Sequence, residues 1–139
     1  MALVKDLPDY QLLTSVPGIG PINALTILAQ AGKLRRFAHH RQFLTFCGMD
    51  RATIQSGTFR GQTKRSKYGN ARLRRTLWMS GQVAIVPRTN SFRDTFERSI
   101  AKDRHNKHLR RKACTAIAAK MARIVHGIIK HGEPDLPLL

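Results

Sequence analysis

LRRKACTAIAAKMARIVHGIIKHG, residues 109–132, decides the fold. Leu109, Ala113, Ile117, Met121, Ile124 and Ile128 recur at steps of three or four, which places them on one face of an α-helix. No proline interrupts the run, and Gly132 is the expected C-terminal stop. So long a helix needs other helices to cover its apolar face, and the rest of the chain supplies them. Phe92, Phe96 and Ile100 stand four apart behind Asn90 and Ser91, either of which can cap a helix. Leu73, Leu77, Gly81 and Ala84 form a further stripe that begins near Asn70, with Trp78 at its edge and Pro87 just past its end. Phe43, Leu44 and Cys47 mark a short helix over about 40–47. Pro21 can open a helix, because the N–H it lacks would be unpaired there anyway; that helix runs through Ile22, Leu25, Ile27 and Leu28 to Gly32. Before it, Tyr10, Leu12, Leu13 and Val16 suggest a short helix ending at Pro17-Gly18.

The reading is therefore all-α, one compact multi-helix domain over 1–139. It divides into a helix–turn–helix pair at about 9–32, a glycine-rich basic loop at about 48–69, a helical region at about 70–132 and an irregular tail at 133–139. The loop breaks the apolar periodicity, with glycine at 48, 57, 61 and 69. It has room for a short extended pair around Thr53–Ile54 and Thr58–Phe59, a small β-hairpin in an otherwise helical chain.

Charge narrows the function. The chain carries +17 over 139 residues, with 42% hydrophobic content, enough for a modest core. Residues 1–50 hold five Lys/Arg against three Asp/Glu, and residues 51–139 hold twenty against five. Such an excess repels itself and favours a polyanion; nucleic acid is the first candidate and an anionic membrane surface the weaker one. No apolar run is long enough to span a bilayer, and the N-terminus lacks the order of a signal peptide. Cys47 and Cys114 have no metal-type spacing and read as buried thiols of a reducing cytoplasm. His39-His40 and His105/His108 have no cysteine or carboxylate beside them in a ligand pattern, so no metal site is expected.

Two segments fit phosphate. In VPGIGP, residues 16–21, Gly18 and Gly20 allow close approach of the backbone to a phosphate, and the following helix presents unpaired N–H groups and a positive dipole end. The pattern looks like a helix-hairpin-helix motif, which grips backbone without reading sequence. It reads equally as a tight turn between packed helices, and Pro21 removes one donor. The second segment is IQSGTFRGQTKRSKYGNARLRR, residues 54–75, which bears Arg60, Lys64, Arg65, Lys67, Arg72, Arg74 and Arg75. No Asp or Glu lies between Asp50 and Asp94 to pair with these cations. A further basic cluster holds Arg104, Lys107, Arg110, Arg111 and Lys112 and would grip DNA or RNA backbone. Aromatic residues are few and mostly at core spacing, which argues against base stacking.

Ser56 lies at the head of the basic segment. A serine hydroxyl is a weak nucleophile unless a base, a metal or strong electrostatic help activates it. Arg60, Lys64 and Arg65 could stabilise charge building on a phosphate. No general base is evident nearby, so from residues alone Ser56-Gly57 reads first as a turn.

The ordered set LLTSVPGIGPINALTILAQAG, RFAHHRQFLTFCGM, QSGTFRG, SKYGNARLRRTLWM and a long basic helix ending GIIKHG resembles the C-terminal transposase domain of the IS-one-ten insertion-sequence family, over about residues 10–132. Single motifs such as PGIG are weak; the order of the set is what is specific. The family comprises bridge-RNA-guided recombinases that join an N-terminal RuvC-like domain, with a metal-binding Asp/Glu/Asp/Asp set, to this domain. The resemblance implies that Ser56, in the family's Ser-Gly motif, attacks a DNA phosphate and forms a covalent phosphoserine link. The implied partners are donor and target DNA, a structured guide RNA and further copies of the protein, in a bacterial or archaeal cytoplasm at the nucleoid. The RuvC-like half and its carboxylates are not in this sequence, whose eight acids are scattered. The expectation is that the chain itself takes no cofactor, that magnesium belongs to the RuvC-like domain, and that the chain alone binds nucleic acid without recombining it. Two other readings remain: a non-catalytic helix-hairpin-helix DNA- or RNA-binding module, and a basic membrane-surface or ribosome-associated protein.

Overall fold

Three of the helices begin at an asparagine, and the hydrogen bonds show why. The Asn70 side chain accepts from the Leu73 N–H (2.9 Å), Asn90 from Arg93 (2.9 Å), and Asn106 from both His108 (2.9 Å) and Leu109 (3.2 Å). Each cap satisfies N–H groups that the helix cannot pair internally, a contribution of about 1 kcal/mol. The structure is a computed structural model, and it describes residues 7–49, 69–87 and 90–132. Among the described residues there are six α-helices, one 3₁₀ turn and no strand. They are α1 (Pro8–Thr14), α2 (Pro21–Ala31), the 3₁₀ turn (Leu34–Arg36), α3 (His40–Cys47), α4 (Ala71–Ala84), α5 (Ser91–Ile100) and α6 (Lys107–His131). The small extended pair expected around residues 53–59 lies outside the described residues.

The all-α expectation holds, and so do most of the boundaries. Pro8 and Pro21 stand at the first turns of α1 and α2. Gly48 and Gly132 end α3 and α6 in the left-handed conformation, at φ of 78° and 71°. The 3₁₀ turn has no counterpart in the sequence reading, because three residues are too few to show a period.

α6 is the axis of the fold. It packs against α1, the 3₁₀ turn, α3, α4 and α5. That explains a departure from the sequence stripe. Ala113, Ile117 and Met121 are buried as expected, but Ala118, Ala122, Val125 and Ile129 are buried too, whereas Leu109 and Ile124 are only half-buried. A helix with neighbours on several sides needs a wide apolar face, and a single line of residues underestimates it. The side chains around it, among them Phe43, Phe92, Leu13, Ile27, Leu73 and Leu77, are fully buried. Each contributes about 1.5–3 kcal/mol of transfer free energy.

Polar contacts fix the registers. His126 on α6 is buried, its Nε2 2.7 Å from the Phe37 carbonyl oxygen, while Lys130 donates to the Ala38 carbonyl (2.6 Å). Lys120 donates to the Ser91 carbonyl and to Thr95 Oγ1, both at 2.8 Å, tying α6 to the start of α5. Burial holds its ammonium below the usual lysine range. Two expectations are corrected. Ile22 is 77% exposed rather than core, because α2 buries the smaller Ala24 and Ala31 beside Ile27. Cys114 is only half-buried, unlike Cys47.

The turn between α1 and α2 is set by packing on α4. Gly18 adopts φ +90°, and a Cβ there would stand 2.2 Å from the Ser80 carbonyl oxygen and 3.0 Å from Ala84. Asn23 Nδ2 donates to Ser80 Oγ at 2.9 Å, clasping the same face of α4. Gly20, by contrast, is exposed, and a Cβ there would meet nothing within 4 Å. The Gly18→Ala variant is therefore expected to lose roughly 2 kcal/mol or more, through backbone strain and overpacking, and Gly20→Ala to lie within about 0.5 kcal/mol of the parent. Urea denaturation followed by circular dichroism measures both.

Candidate nucleic-acid interface

The segment that carries Ser56 leaves and re-enters the described structure through a neck made of two glycines. A Cβ on Gly69 would lie 2.4 Å from both the Cα and the N of Gly48, and 2.7 Å from the Cys47 carbonyl carbon. Only two residues without side chains let the backbones come so close. The neck is sewn shut on both sides. Asn70 N–H donates to the Phe46 carbonyl (2.8 Å), Arg74 Nη1 to the Cys47 carbonyl (3.0 Å), and Asn70 Nδ2 to Gln30 Oε1 (3.1 Å). Ser56, Arg60, Lys64, Arg65 and Lys67 lie between these ends and outside the described residues.

Cys47, in the wall of the neck, is fully buried, and burial pushes its thiol up to about 12 against a weaker opposing pull from Arg74. It is a packing residue and no nucleophile at neutral pH.

The cations divide by what they already bind. On α4, Arg74 is engaged with the Cys47 carbonyl. Arg72 and Arg75 are exposed and make no ion pair among the described residues. On α6, Lys107 and Arg110 lie in the first turn and Arg111 just after it, where the helix dipole is positive and the first turn carries no acid. Cations placed there cost stability, so their presence points to a demand other than folding. Arg110 turns toward α5, donating to the Arg104 carbonyl (3.2 Å) with its guanidinium 5.4 Å from the Phe96 ring centroid. Arg104 is paired with Glu97, which also meets Arg93. The Arg104 hydrogen bond, with a smaller contribution from Arg93, holds the Glu97 carboxyl below the usual range. Arg104 therefore serves the structure, and Lys107 and Arg111 stay exposed.

Between α4 and α6 lies a cleft of about 370 Å³ lined by Met49, Arg74, Arg75, Trp78, Thr115 and Ala118, together with Ala71. Helical register joins the two basic clusters here. Lys107, Arg111, Thr115 and Ala118 follow one face of α6 at steps of four, four and three, so the exposed α6 cations lead toward the cleft that Arg75 borders from α4. Met49, the last described residue before Ser56, forms part of the wall. Gly18 stands elsewhere, against Ser80 and Ala84 on another face of α4.

Trp78 is the residue that sequence reasoning undervalued. The phenylalanines at 43, 92 and 96 are buried as their spacing implied, but Trp78 is 42% exposed at the cleft. Its place at the edge of the α4 stripe was the available signal. Among the described residues no three His, Cys, Asp or Glu side chains gather as a metal site, and no helix is long and apolar enough to cross a membrane.

The sequence profile of the IS116/IS110/IS902 transposase family matches residues 10–97, a span that includes both α4 and Ser56. The chain belongs to this family. Two curated relatives agree. It is 30% identical over 133 residues to the transposase for insertion sequence element IS1111A of Coxiella burnetii, an alignment covering 95% of this chain and 36% of that protein. It is 36% identical over 85 residues to a probable family 20 transposase of Pseudomonas aeruginosa, covering 61% of this chain and 25% of that one. The chain thus spans well under half the length of the relatives it matches.

The neck can be tested through the two cysteines. At pH 8 a thiol reagent is expected to modify Cys114 and spare Cys47 in the parent. In Gly69→Ala, where a methyl group meets the Gly48 backbone, both thiols should react and the urea midpoint should fall by the equivalent of about 2 kcal/mol. Mass spectrometry of the alkylated chain reads the outcome.

Proposed function

We propose that this chain is the nucleic-acid-binding catalytic domain of a DNA transposase, with Ser56 as the nucleophile that cuts and rejoins a DNA strand. The observation that carries the reading is the family match, which runs through Ser56 and the cations around it. The chemistry is a transesterification. Ser56 Oγ bonds to phosphorus, the bond from phosphorus to a deoxyribose oxygen breaks, and the serine proton leaves with the released hydroxyl. Attack on the phosphoserine by a new strand's hydroxyl reverses these steps, so the ester is conserved. Arg60, Lys64 and Arg65 stand close to Ser56 in sequence and would stabilise the charge on the phosphorane-like transition state. Arg72, Arg75, Lys107 and Arg111 would hold flanking backbone, assisted by Arg74, Arg110 and Lys67.

Among the described residues no three His, Cys, Asp or Glu side chains gather as metal ligands. Asp9 is paired with Arg35, Glu97 with Arg93 and Arg104, and Asp103 accepts the His105 N–H. No step of this scheme runs through a metal held by them. In this reading the carboxylates and magnesium belong to a RuvC-like domain of the longer protein, whose partners are DNA, a structured guide RNA and further copies of itself. The whole functions at the nucleoid of a prokaryotic cytoplasm.

The helix-hairpin-helix reading is narrowed by the geometry. Gly18 is committed to α4, so backbone phosphate would be met by Gly20 and the exposed first turn of α2. A non-catalytic binding module is the second reading, because the exposed Arg72, Arg75, Lys107 and Arg111 would account for backbone binding without a nucleophile.

Ser56→Ala decides between them. In the full-length transposase with its RNA and DNA, the variant should lose strand exchange and the covalent protein–DNA adduct while DNA affinity stays within about twofold; unaltered recombination would eliminate the nucleophile assignment. For the chain alone, the logarithm of DNA affinity should fall linearly with the logarithm of salt, by about 0.9 per phosphate neutralised. Arg72→Gln and Arg75→Gln should each flatten that slope by about one unit.

A further inference from the structure

We infer that the cleft between α4 and α6 takes one unpaired base of a DNA strand, stacked on Trp78, with Arg75 on the adjoining phosphate. This rests on the nucleic-acid reading above and narrows it to a single nucleotide drawn out of the duplex.

The lining has the chemistry of a nucleotide. The cleft's lining is apolar at Met49, Ala71, Ala118 and the indole of Trp78, and cationic at Arg74 and Arg75. Among the described residues no carboxylate lines it. A nucleotide matches this division, with a flat, weakly polar ring at one end and an anion at the other. The volume of about 370 Å³ stands near the lower limit of small-molecule sites, which run from roughly 300 to 1,000 Å³. It suits one base with its sugar.

Stacked bases in a duplex cannot present a ring face to Trp78, so the occupant has to be unpaired. Stacking on an exposed aromatic side chain is tolerant of sequence, which accords with a cleft that offers few fixed donors and acceptors. Arg74 already gives one N–H to the Cys47 carbonyl, so its fork is held still, while Arg75 is unpaired among the described residues.

The position supplies a purpose. Met49 is a wall of the cleft and stands seven residues before Ser56 in the sequence. A base lodged there would fix the register of its neighbouring phosphodiester relative to the Ser56 segment, converting loose backbone attraction into a defined attack geometry. Trp78 is in this sense a positioning residue and takes no part in bond making.

Trp78 is the single tryptophan of the chain, so its emission reports on the cleft alone. The complete chain would be titrated with a thymidine oligonucleotide of about twelve nucleotides and with a mixed-sequence duplex of equal length. Binding is followed separately by the anisotropy of a dye on each DNA. The expected result is strong quenching of Trp78 by the single strand, and little by the duplex at the same saturation. Trp78→Ala should weaken single-strand binding about tenfold and leave duplex binding within about twofold, with Trp78→Phe recovering most of the loss. Circular dichroism verifies that each variant is folded, and the parent's quenching needs no variant at all. Single-strand binding with unchanged emission, or equal quenching by the duplex, overturns the cleft assignment while the interface reading stands. No anisotropy change with either DNA overturns both.

Discussion

The crossing of α4 over α6 at Gly81 is the contact on which the rest of the molecule depends. A Cβ at this position would meet Ile117 Cγ2 at 2.9 Å, with the Ala118 backbone nitrogen 3.7 Å away. The absent side chain brings the two longest helices together, and close packing of this kind tolerates little change in volume. The cleft and the start of α5 both hang from this crossing. Toward its N-terminus α4 carries the two guanidiniums and the indole that face the α6 stripe. Toward its C-terminus Ala84 gives its carbonyl to Asn90 (2.8 Å), and Arg93 donates to the Ile85 carbonyl (3.1 Å), so the start of α5 is placed by the end of α4.

A chain of this charge has to separate cations that fold it from cations that bind a partner. The first group is recognisable by saturation. Arg35 meets Asp9, Arg93 and Arg104 share Glu97, Arg36 lies over the Phe37 ring, and Arg74 closes the neck. With only eight acids for twenty-five Lys and Arg, backbone carbonyls and aromatic faces substitute for carboxylates. Other cations, Arg72 and Arg75 of α4 and Lys107 and Arg111 near the start of α6, are exposed and make no ion pair among the described residues. Like charges placed together at a positive helix end are unfavourable in the free protein and become favourable when a polyanion arrives. Such an arrangement comes at some cost to intrinsic stability.

The sequence revealed the helices because their caps and periods are local. Asn70, Asn90, Gly48 and Gly132 each act within one turn of their own position, and the Phe92–Phe96–Ile100 spacing is visible without tertiary knowledge. Features formed between distant residues were hidden. Gly48 and Gly69 both looked like ordinary loop punctuation; their backbone contact spans twenty-one positions and has no signature in either neighbourhood. The same holds for His126, whose partner is a carbonyl at Phe37, and for Ile22, an apolar residue left outside because small alanines proved the better interior face. At the candidate site, the cation clusters were legible from composition, and Ser56 only through the ordered resemblance. The joining of Arg75 to the Lys107–Arg111 stripe required the α4–α6 crossing.

The two glycines of the hairpin show how one motif can divide its labour. A Gly-Ile-Gly turn invites the view that both glycines exist for a phosphate. Gly18 has another explanation, since its positive φ and the Ser80 carbonyl beneath it would demand glycine with no DNA present. Gly20 has no such steric reason, being open on all sides, and its extended backbone leads straight into the exposed start of α2. Any electrostatic grip by this element therefore resides in the N–H groups of that first turn, with Pro21 contributing none. Asn23, the next polar residue, is held by Ser80 on α4. The orientation of α2's N-terminus is consequently set by the same helix that carries Arg72, Arg75 and Trp78. Hairpin and cleft occupy different faces of α4, so a strand touching both would have to pass around that helix, and α4 fixes the distance between the two contacts.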